Sequence, residues 1–247
     1  MKVRFRFVKL GRVRWTSHRD VARMWERALR RAGLPIVYTG GFSPRPQLSF
    51  GLALPTGCES SAEYLDAALS EDVDVESLPR LLDPLLPAGV EVSAAAALEA
   101  GAPSLQEEVT SCAWEIEVPG VDEAELGAAV NRVLAAPTLP VRRERKGRQQ
   151  EDDLRPALLG LDVLAAQSGF ESSAPAGVVT GSRTGSRLGA ELSTRPRGVR
   201  PSELAGVLGL ELGLARRTCQ WIECSGSRRE PLAAGAASPD PVLGRAS

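Results

Sequence analysis

The sequence is poor in the residues that many enzymes use for catalysis. It has one histidine, His18, and three lysines among its 30 basic residues. It contains no Ser-His-Asp or Cys-His combination, no catalytic pair of carboxylates and no nucleotide-binding fingerprint. Nucleophilic and acid–base catalysis depend on such sets. An enzyme that acts alone is therefore not expected.

Long apolar stretches are also missing. No run reaches the roughly 18 apolar residues that a membrane-spanning helix needs. Met1 is followed by charged, alternating residues rather than by the apolar segment of a signal peptide. These absences predict a soluble cytoplasmic protein without a membrane partner.

Cysteine is scarce, and its spacing indicates no cofactor. The four cysteines are Cys58, Cys112, Cys219 and Cys224. None forms a C-x-x-C pair, and disulfides are rare in the cytoplasm. Cys219 and Cys224 are spaced C-x4-C, but no histidine or second cysteine pair completes a metal site. The cysteines are interpreted as small apolar residues, and neither a metal nor another cofactor is expected.

Charge is plentiful but unevenly distributed along the chain. Residues 1–50 contain twelve Lys and Arg against two acids, whereas residues 51–125 contain seventeen acids against one arginine. The formal net charge of −1 conceals this difference. A charge asymmetry of this size indicates an interaction surface.

Basic residues are concentrated in the first predicted strand and helix. Residues 2–10 alternate between basic and apolar, as in a strand with one buried face. Its apolar residues are predicted to face inward, and Arg4 and Arg6 to face water or a ligand. The following helix is capped by Thr16 or Ser17 and ended by Gly33.

One face of this helix is predicted to carry a row of arginines. At about 100° per residue, four arginines fall opposite the apolar residues. They are Arg19, Arg23, Arg27 and Arg30. With Arg4 and Arg6 they predict a positive surface that binds RNA phosphates. A protein partner with acidic patches and a plain solvated face in an arginine-rich chain are the alternatives.

The order of predicted elements indicates the fold class. Up to residue 98 it is β-α-β-β-α-β, the ferredoxin-like order, and after a linker it recurs with an insertion at 148–182. Two domains suit a chain of 247 residues with 43% hydrophobic residues. The predicted fold is α+β, with two tandem ferredoxin-like units at 1–98 and 110–224. The Ser-, Gly-, Ala- and Pro-rich tail at 225–247 is predicted to be disordered.

His18, preceded by Ser17, is the candidate for chemistry. It falls at the N-terminal end of the apolar helix face, a position from which it would act as a general base or hydrogen-bond a substrate. The alternative is a structural histidine that bonds a backbone carbonyl of the loop packed against it.

A loop rich in glycine and proline covers residues 40–47. Its glycines permit positive φ, Phe42 is predicted to anchor it, and the flanking prolines hold Arg45 outward. Such a loop is suited either to approach a phosphate or to form a tight structural connection. Its candidate binding residues are Gly41, Phe42, Ser43 and Arg45.

A further candidate segment is 153–156, which follows the basic residues 142–148. Asp153 and Arg155 are interpreted either as a pair that orders the turn or as part of a binding site.

Several motifs of the chain resemble one bacterial family. They are WTSHRD at 15–20, RALRRAGLP at 27–35, GFSPRPQLSF at 41–50, GCES at 57–60, DLRP at 153–156 and RT at 217–218. Over roughly residues 1–223, the chain is similar to the radical SAM-linked (radical SAM-associated) protein family. This is a domain of unknown function found fused to, or encoded beside, B12-binding-type radical SAM proteins.

The resemblance implies a stand-alone accessory protein whose partner is a separately encoded radical SAM protein. The C-x3-C-x-x-C cluster ligands of a radical SAM core are absent, so this chain is not expected to bind the iron–sulfur cluster or cleave S-adenosylmethionine. Arg45 stands where many relatives have histidine, and Cys58 where valine is usual. A second histidine is therefore not available for metal binding or acid–base work.

Together these observations favour a non-catalytic accessory protein that binds RNA. The alternatives are a ribonuclease or RNA-modifying enzyme centred on His18, and a purely protein-binding module.

Overall fold

Eleven strands and five α-helices make up most of the residues that the computed structural model describes, which are 1–145, 148–165 and 185–232. The strands, β1 to β11 in chain order, are Lys2–Lys9, Leu48–Phe50, Glu59–Ala68, Val90–Leu98, Ser111–Pro119, Pro140–Arg145, Arg148–Asp153, Leu158–Leu164, Gly185–Ser193, Ala215–Cys224 and Ser227–Arg229. The helices, α1 to α5, are His18–Arg31, Leu78–Leu82, Leu105–Glu108, Glu123–Ala135 and Pro201–Leu208.

One mixed sheet joins the two halves of the chain. Its nine strands follow the order β4-β1-β3-β10-β5-β9-β8, with β2 paired to β3 and β11 paired to β10. Neighbouring strands are antiparallel except β3 and β10, where Arg216 and Arg217 lie opposite Glu59 and Ser60 in parallel register. Strands β6 and β7 form a separate hairpin. The parallel pair is thus the junction between the N-terminal and C-terminal strands.

Aromatic packing between β1 and α1 forms the N-terminal core. Val3, Phe5 and Phe7 are buried, which confirms the predicted inward face of β1. The Phe5 and Phe7 rings lie 5.4 and 5.0 Å from the Trp25 ring on α1. Aromatic pairs at this spacing add to the stabilisation that burial provides. Because Trp25 faces the sheet, the arginines on the opposite face of α1 face solvent.

Local signals set both ends of α1. Ser17 is the N-cap, since its Oγ accepts the Asp20 N–H at 3.2 Å and donates to the Asp20 carboxylate at 2.7 Å. The other predicted cap, Thr16, instead donates its hydroxyl to the Val13 carbonyl. Gly33, at φ 69°, follows the last turn and directs the chain away from the helix axis.

The C-terminal strands have their own core beneath α4 and α5. Leu126 and Val130 of α4 and Leu204 of α5 pack in one buried cluster with Ile116 of β5 and Leu188 of β9. Each half of the sheet is therefore stabilised by its own helices.

The predicted fold class, α+β, is confirmed. The tandem ferredoxin-like units stay a prediction, because the strands of both proposed units belong to one sheet. The expected linker contains α3, and the expected insertion contains β7 and β8, while residues 166–184 lie outside the described chain. In the described ranges, no helix combines the length and the apolar character needed to cross a bilayer.

The prediction of a disordered tail is wrong for residues 225–232. Strand β11 pairs with β10, and the Tyr64 hydroxyl donates to the Leu232 carbonyl at 3.3 Å. The composition of residues 225–232 did not predict this structure, because the residues that pair with the segment belong to other strands of the sheet. Residues 233–247 lie outside the described chain.

Candidate functional site

The four arginines of α1 that were predicted to share a face are all exposed. This arginine row consists of Arg19, Arg23, Arg27 and Arg30. Arg23 lies 3.5 Å from Asp20, and both side chains are about half exposed. Among the described residues, no carboxylate lies within 4.0 Å of the other three guanidinium groups. The row is therefore available to a ligand that carries several anionic groups.

Arg4 and Arg6 do not extend the arginine row, which corrects the prediction that they face water or a ligand. They are 2% and 8% exposed and lie on the sheet face opposite α1. Arg4 donates to both Asp66 carboxylate oxygens, at 2.7 and 2.9 Å, and Arg6 lies 3.4 Å from Glu230. Alternation places both arginines on the second face of the sheet, and α3 and the segment after β10 cover that face.

His18 begins α1, and its ring meets the ring of Phe50 edge-on, with centroids 5.1 Å apart. The side chain is largely exposed, but it lines a small cavity with Phe7, Lys9 and Glu63. The cavity has a volume of about 20 Å³, enough for roughly one water. The predicted place of His18, at the N-terminal end of the apolar face of α1, is confirmed. The alternative, a hydrogen bond to a backbone carbonyl, is not formed with any described residue.

The glycine- and proline-rich loop is exposed and closed by its own hydrogen bonds. Thr39 N–H donates to the Arg45 carbonyl at 2.8 Å, and Arg45 N–H donates to the Thr39 hydroxyl at 3.0 Å. Gly41 has φ 108°, a conformation that glycine permits. Ser43 and Arg45 are exposed. Phe42 is also fully exposed, so the prediction that it anchors the loop is wrong.

Asp153 and Arg155 lie in the other half of the sheet and order a turn there. The Asp153 carboxylate accepts the backbone N–H groups of Leu139 at 2.7 Å and Arg155 at 2.9 Å. These bonds lower the pKa of Asp153. The turn is thus held through backbone groups, and this segment is not brought to the arginine row.

Three charged residues outside the predicted binding residues meet beneath α1. This buried charged cluster consists of Lys9, Glu63 and Arg217, which are 3%, 8% and 2% exposed. Arg217 donates from Nε and Nη2 to one Glu63 oxygen, at 3.1 and 2.5 Å. Its Nη2 also donates to the Leu52 carbonyl at 2.8 Å. Lys9 Nζ donates to the Thr16 carbonyl at 3.0 Å.

The cluster holds two cations and one carboxylate. Burial lowers the pKa of Lys9, and the Glu63 charge opposes this shift only in part. Burial also acts to lower the pKa of Arg217, but Glu63 and Cys112 together outweigh it and the net shift is upward. Buried charges are normally matched by partners. Here one positive charge has no carboxylate of its own within the cluster.

The alternation of buried and exposed side chains in β1 and β3 gives a sequence signal for this cluster. Lys9 continues the buried phase of Phe5 and Phe7, and Glu63 shares a phase with the buried Leu65. A charged residue in a buried phase points to a buried partner. The motif at 217–218 carried the only sequence hint of Arg217, and that hint came from the resemblance.

A second, larger cavity has a volume of about 180 Å³ and is lined in part by Arg217. The residues that line it are Leu52, Ala53, Pro55, Cys112, Trp114, Leu192, Ser193, Thr194, Gly198, Val199, Arg200 and Arg217. Two of these twelve residues are arginines and none is acidic, and one of the two, Arg217, is paired with Glu63.

Metal-ligating side chains are not grouped in the part of the chain that the structure describes. No three His, Cys, Asp or Glu side chains there are close enough to hold an ion. All four cysteines are free. Cys219 donates to the Glu230 carboxylate at 2.8 Å, and burial raises the pKa of Cys58.

The fold and the site define an α+β protein with an exposed cationic helix and a buried charged cluster at the junction of two sheet halves. The chain belongs to a bacterial family described as uncharacterized protein conserved in bacteria (DUF2344), whose model matches residues 2–187. No curated protein matches the chain with significant similarity. The family match spans the arginine row, Lys9 and Glu63 but ends before Arg217.

Proposed function

We propose that this chain is a non-catalytic accessory protein that binds RNA through the arginine row of α1. It works in the cytoplasm with a separately encoded radical SAM protein, to which it presents its bound substrate. The observation that carries the RNA-binding proposal is the exposure of four guanidinium groups on one helix face, three of them with no carboxylate of the described residues within 4.0 Å.

The length of the arginine row suits a nucleic-acid backbone. Arg19 and Arg30 are separated by eleven positions, which at 1.5 Å per residue is about 16 Å. A row of this length contacts several successive phosphates of one strand. Guanidinium groups bind phosphate through paired N–H donors, so arginine is suited to this task.

Exposed aromatic side chains in the same half of the chain favour unpaired RNA over a duplex. Trp15 is 65% exposed, Tyr38 42% and Phe42 completely exposed. Aromatic rings on RNA-binding surfaces stack on unpaired bases. This is the role proposed for Phe42, which packs against nothing in the loop.

The radical SAM partner and the ferredoxin-like architecture belong to the same proposal. The partner is supported by the sequence motifs at 15–20 and 41–50, which resemble the radical SAM-linked family. The architecture is supported in the N-terminal half by the strand order β4-β1-β3-β2, with α1 following β1 and α2 following β3. Alternating elements in this order are typical of the split β-α-β unit.

RNA binding is tested with purified protein and a single-stranded oligonucleotide. Four phosphate contacts predict that log K falls with log salt with a slope of about −3. The double variant Arg23→Glu/Arg27→Glu should lose most of the affinity and flatten this slope. Arg80→Glu, which reverses an exposed arginine on α2, is the matched control and should bind like the wild type. Unchanged binding by the double variant would exclude the arginine row as the RNA site.

A ribonuclease centred on His18 is a second candidate, favoured by one observation. The His18 side chain lines the same small cavity as Lys9 and Glu63, which would supply charged groups next to an imidazole base. RNA turnover by the purified protein, abolished in His18→Ala, would support this function. Turnover that persists in His18→Ala would exclude His18 as its catalyst.

A further inference from the structure

Trp15 is an exposed aromatic side chain with a fixed position. It ends a short 3₁₀ helix, Gly11–Trp15, and its ring is largely exposed. Gly57, at φ 90°, lies directly against this ring, since a Cβ at that position would come within 3.0 Å of Trp15 Cζ3. The Gly57 N–H also donates to the Arg14 carbonyl at 2.9 Å. Because the backbone holds one side of the ring, the exposed remainder would bind a flat partner with little loss of conformational freedom.

Trp15 lies at the N-terminal end of the arginine row. It precedes the N-cap of α1, Ser17, by two positions and Arg19 by four. Four residues span at most about 14 Å between Cα atoms, and both side chains are long and exposed. A strand whose phosphate binds Arg19 therefore brings a neighbouring base within reach of the Trp15 ring.

The loop that carries Phe42 lies toward the other end of the row. Helix α1 ends at Arg31, and loop 39–47 begins eight residues later. From this loop the chain returns along β2, whose last residue, Phe50, contacts the His18 ring in the first turn of α1. The three residues of β2 carry the chain about 10 Å. Strand β2 therefore separates the loop from the N-terminal end of α1.

Phe42 is like Trp15 in being exposed on a fixed backbone. Its ring is fully exposed, and the hydrogen bonds between Thr39 and Arg45 close its loop at 2.8 and 3.0 Å. The two aromatic residues thus flank a row of guanidinium groups about 16 Å long. Proteins that bind single strands combine cationic groups that follow the backbone with rings that stack on bases.

We propose that α1 binds one unpaired RNA segment of about six nucleotides, whose two end bases stack on Trp15 and Phe42. The row of about 16 Å equals roughly five steps of a stacked strand at about 3.4 Å per nucleotide. This inference rests on RNA binding by the arginine row, and it adds the length of the bound segment and the roles of the two rings. The bases of a duplex are already stacked and paired, so a stem of the same length would not engage the rings.

Hexa-adenylate and two forms of it that lack one end base test the proposal. One form lacks the first adenine and the other the last, and both keep every phosphate. Competition against a labelled strand gives each affinity. Each missing base should weaken binding to the wild-type protein by roughly tenfold, since one stacking contact is lost. The salt dependence should stay the same, because the phosphate contacts remain.

Variants of the two rings should respond to opposite ends of the strand. Trp15→Leu keeps an apolar side chain against Gly57, and it should bind hexa-adenylate about tenfold more weakly and become indifferent to one missing end base. Phe42→Leu should become indifferent to the other. Trp15→Phe, which restores a ring, should recover most of the affinity.

Leu81→Ala is the matched control, since it removes an exposed apolar side chain from α2, and it should bind like the wild type. Wild-type affinity in both ring variants would overturn the proposal. So would indifference of both variants to the same end base.

A failure of this inference is distinguishable from a failure of the proposed function. If Arg23→Glu/Arg27→Glu loses hexa-adenylate while the wild type tolerates both missing bases, RNA binding by the arginine row stands and stacking at its ends is overturned. Equal binding by the wild type and the double variant, or no binding by either, would overturn both.

Discussion

The arginine row of α1 and the buried charged cluster hold similar cations in opposite environments. The row is solvated, and Arg23, its one paired member, lies 3.5 Å from a half-exposed aspartate. In the cluster, Arg217 is 2% exposed, and its Nη2 donates to a Glu63 carboxylate oxygen at 2.5 Å. Exposed ion pairs contribute little to stability, whereas removing one partner of a buried pair costs several kcal/mol. The row is therefore free for binding, while the cluster is tied to the fold.

The comparison also changes the meaning of the charge asymmetry along the chain. Part of the acidic segment 51–125 neutralises arginines inside the protein, since Glu59, Glu63 and Asp66 pair with Arg216, Arg217 and Arg4. Only the remaining acids of this segment contribute to the surface charge. The arginine row belongs to the part of the basic segment that this internal pairing leaves exposed.

The strongest test of the buried side of the comparison is Glu63→Gln. Removing this carboxylate leaves Arg217 buried without a counter-charge, and we expect a loss of about 3–5 kcal/mol in the free energy of unfolding. Urea unfolding measures the loss, with Glu71→Gln, an exposed glutamate, as the control. A loss below about 1 kcal/mol would show that Arg217 is solvated, and would break the comparison.

Asp66→Asn should have a smaller effect. Arg4 would lose its paired bonds at 2.7 and 2.9 Å but keep a contact with Glu108 at 3.4 Å. We expect a loss of about 1–3 kcal/mol, again from urea unfolding. Asp72→Asn, at an exposed position, should leave stability unchanged. Equal losses in the two variants would contradict a structural role for the Arg4–Asp66 pair.

Asp153 gives an intermediate case, in which an exposed carboxylate still matters. Its folded pKa is lowered by the N–H groups of Leu139 and Arg155, so its ionised form is stabilising above the unfolded pKa of about 3.9. This contribution is lost as the pH falls through the folded pKa. The stability difference between wild type and Asp153→Ala should therefore shrink on acidification from neutral pH. A difference that stays constant down to about pH 2 would contradict this account.

The smallest stability effect is expected at the arginine row. Arg27→Gln removes a solvated side chain and should change the free energy of unfolding by less than about 0.5 kcal/mol. The same substitution should lower RNA affinity measurably, since one phosphate contact is lost. Destabilisation as large as that of Glu63→Gln would show that the row is structural.

Local patterns accounted for the parts of the fold that depend on neighbouring residues. The alternation in β1 buried Phe5 and Phe7, and the 3.6-residue period of α1 exposed Arg23 and Arg27. These outcomes follow because a strand and a helix each present a fixed face at a fixed period. The cap at Ser17 is equally local, since its bond to Asp20 spans three residues.

Long-range pairing accounted for the parts that the sequence did not predict. Arg4 and Arg6 have the alternation of solvent-facing residues, but the partners that bury them come from distant positions, Asp66 and Glu230 among them. The composition of residues 225–232 predicts disorder because β10, the strand with which β11 pairs, lies outside this segment. Periodicity assigns a residue to a face, but it does not reveal whether another element covers that face.

Helical periodicity is enough to predict the exposed arginine row, because it separates Arg19, Arg23, Arg27 and Arg30 from the apolar face of α1 without reference to any other element. The buried charged cluster, in contrast, depends on how the strands pair. Lys9, Glu63 and Arg217 meet because β3 pairs with β1 on one side and with β10 on the other. Glu63 and Arg217 are 154 positions apart, and a pairing over that distance leaves no local pattern in the chain.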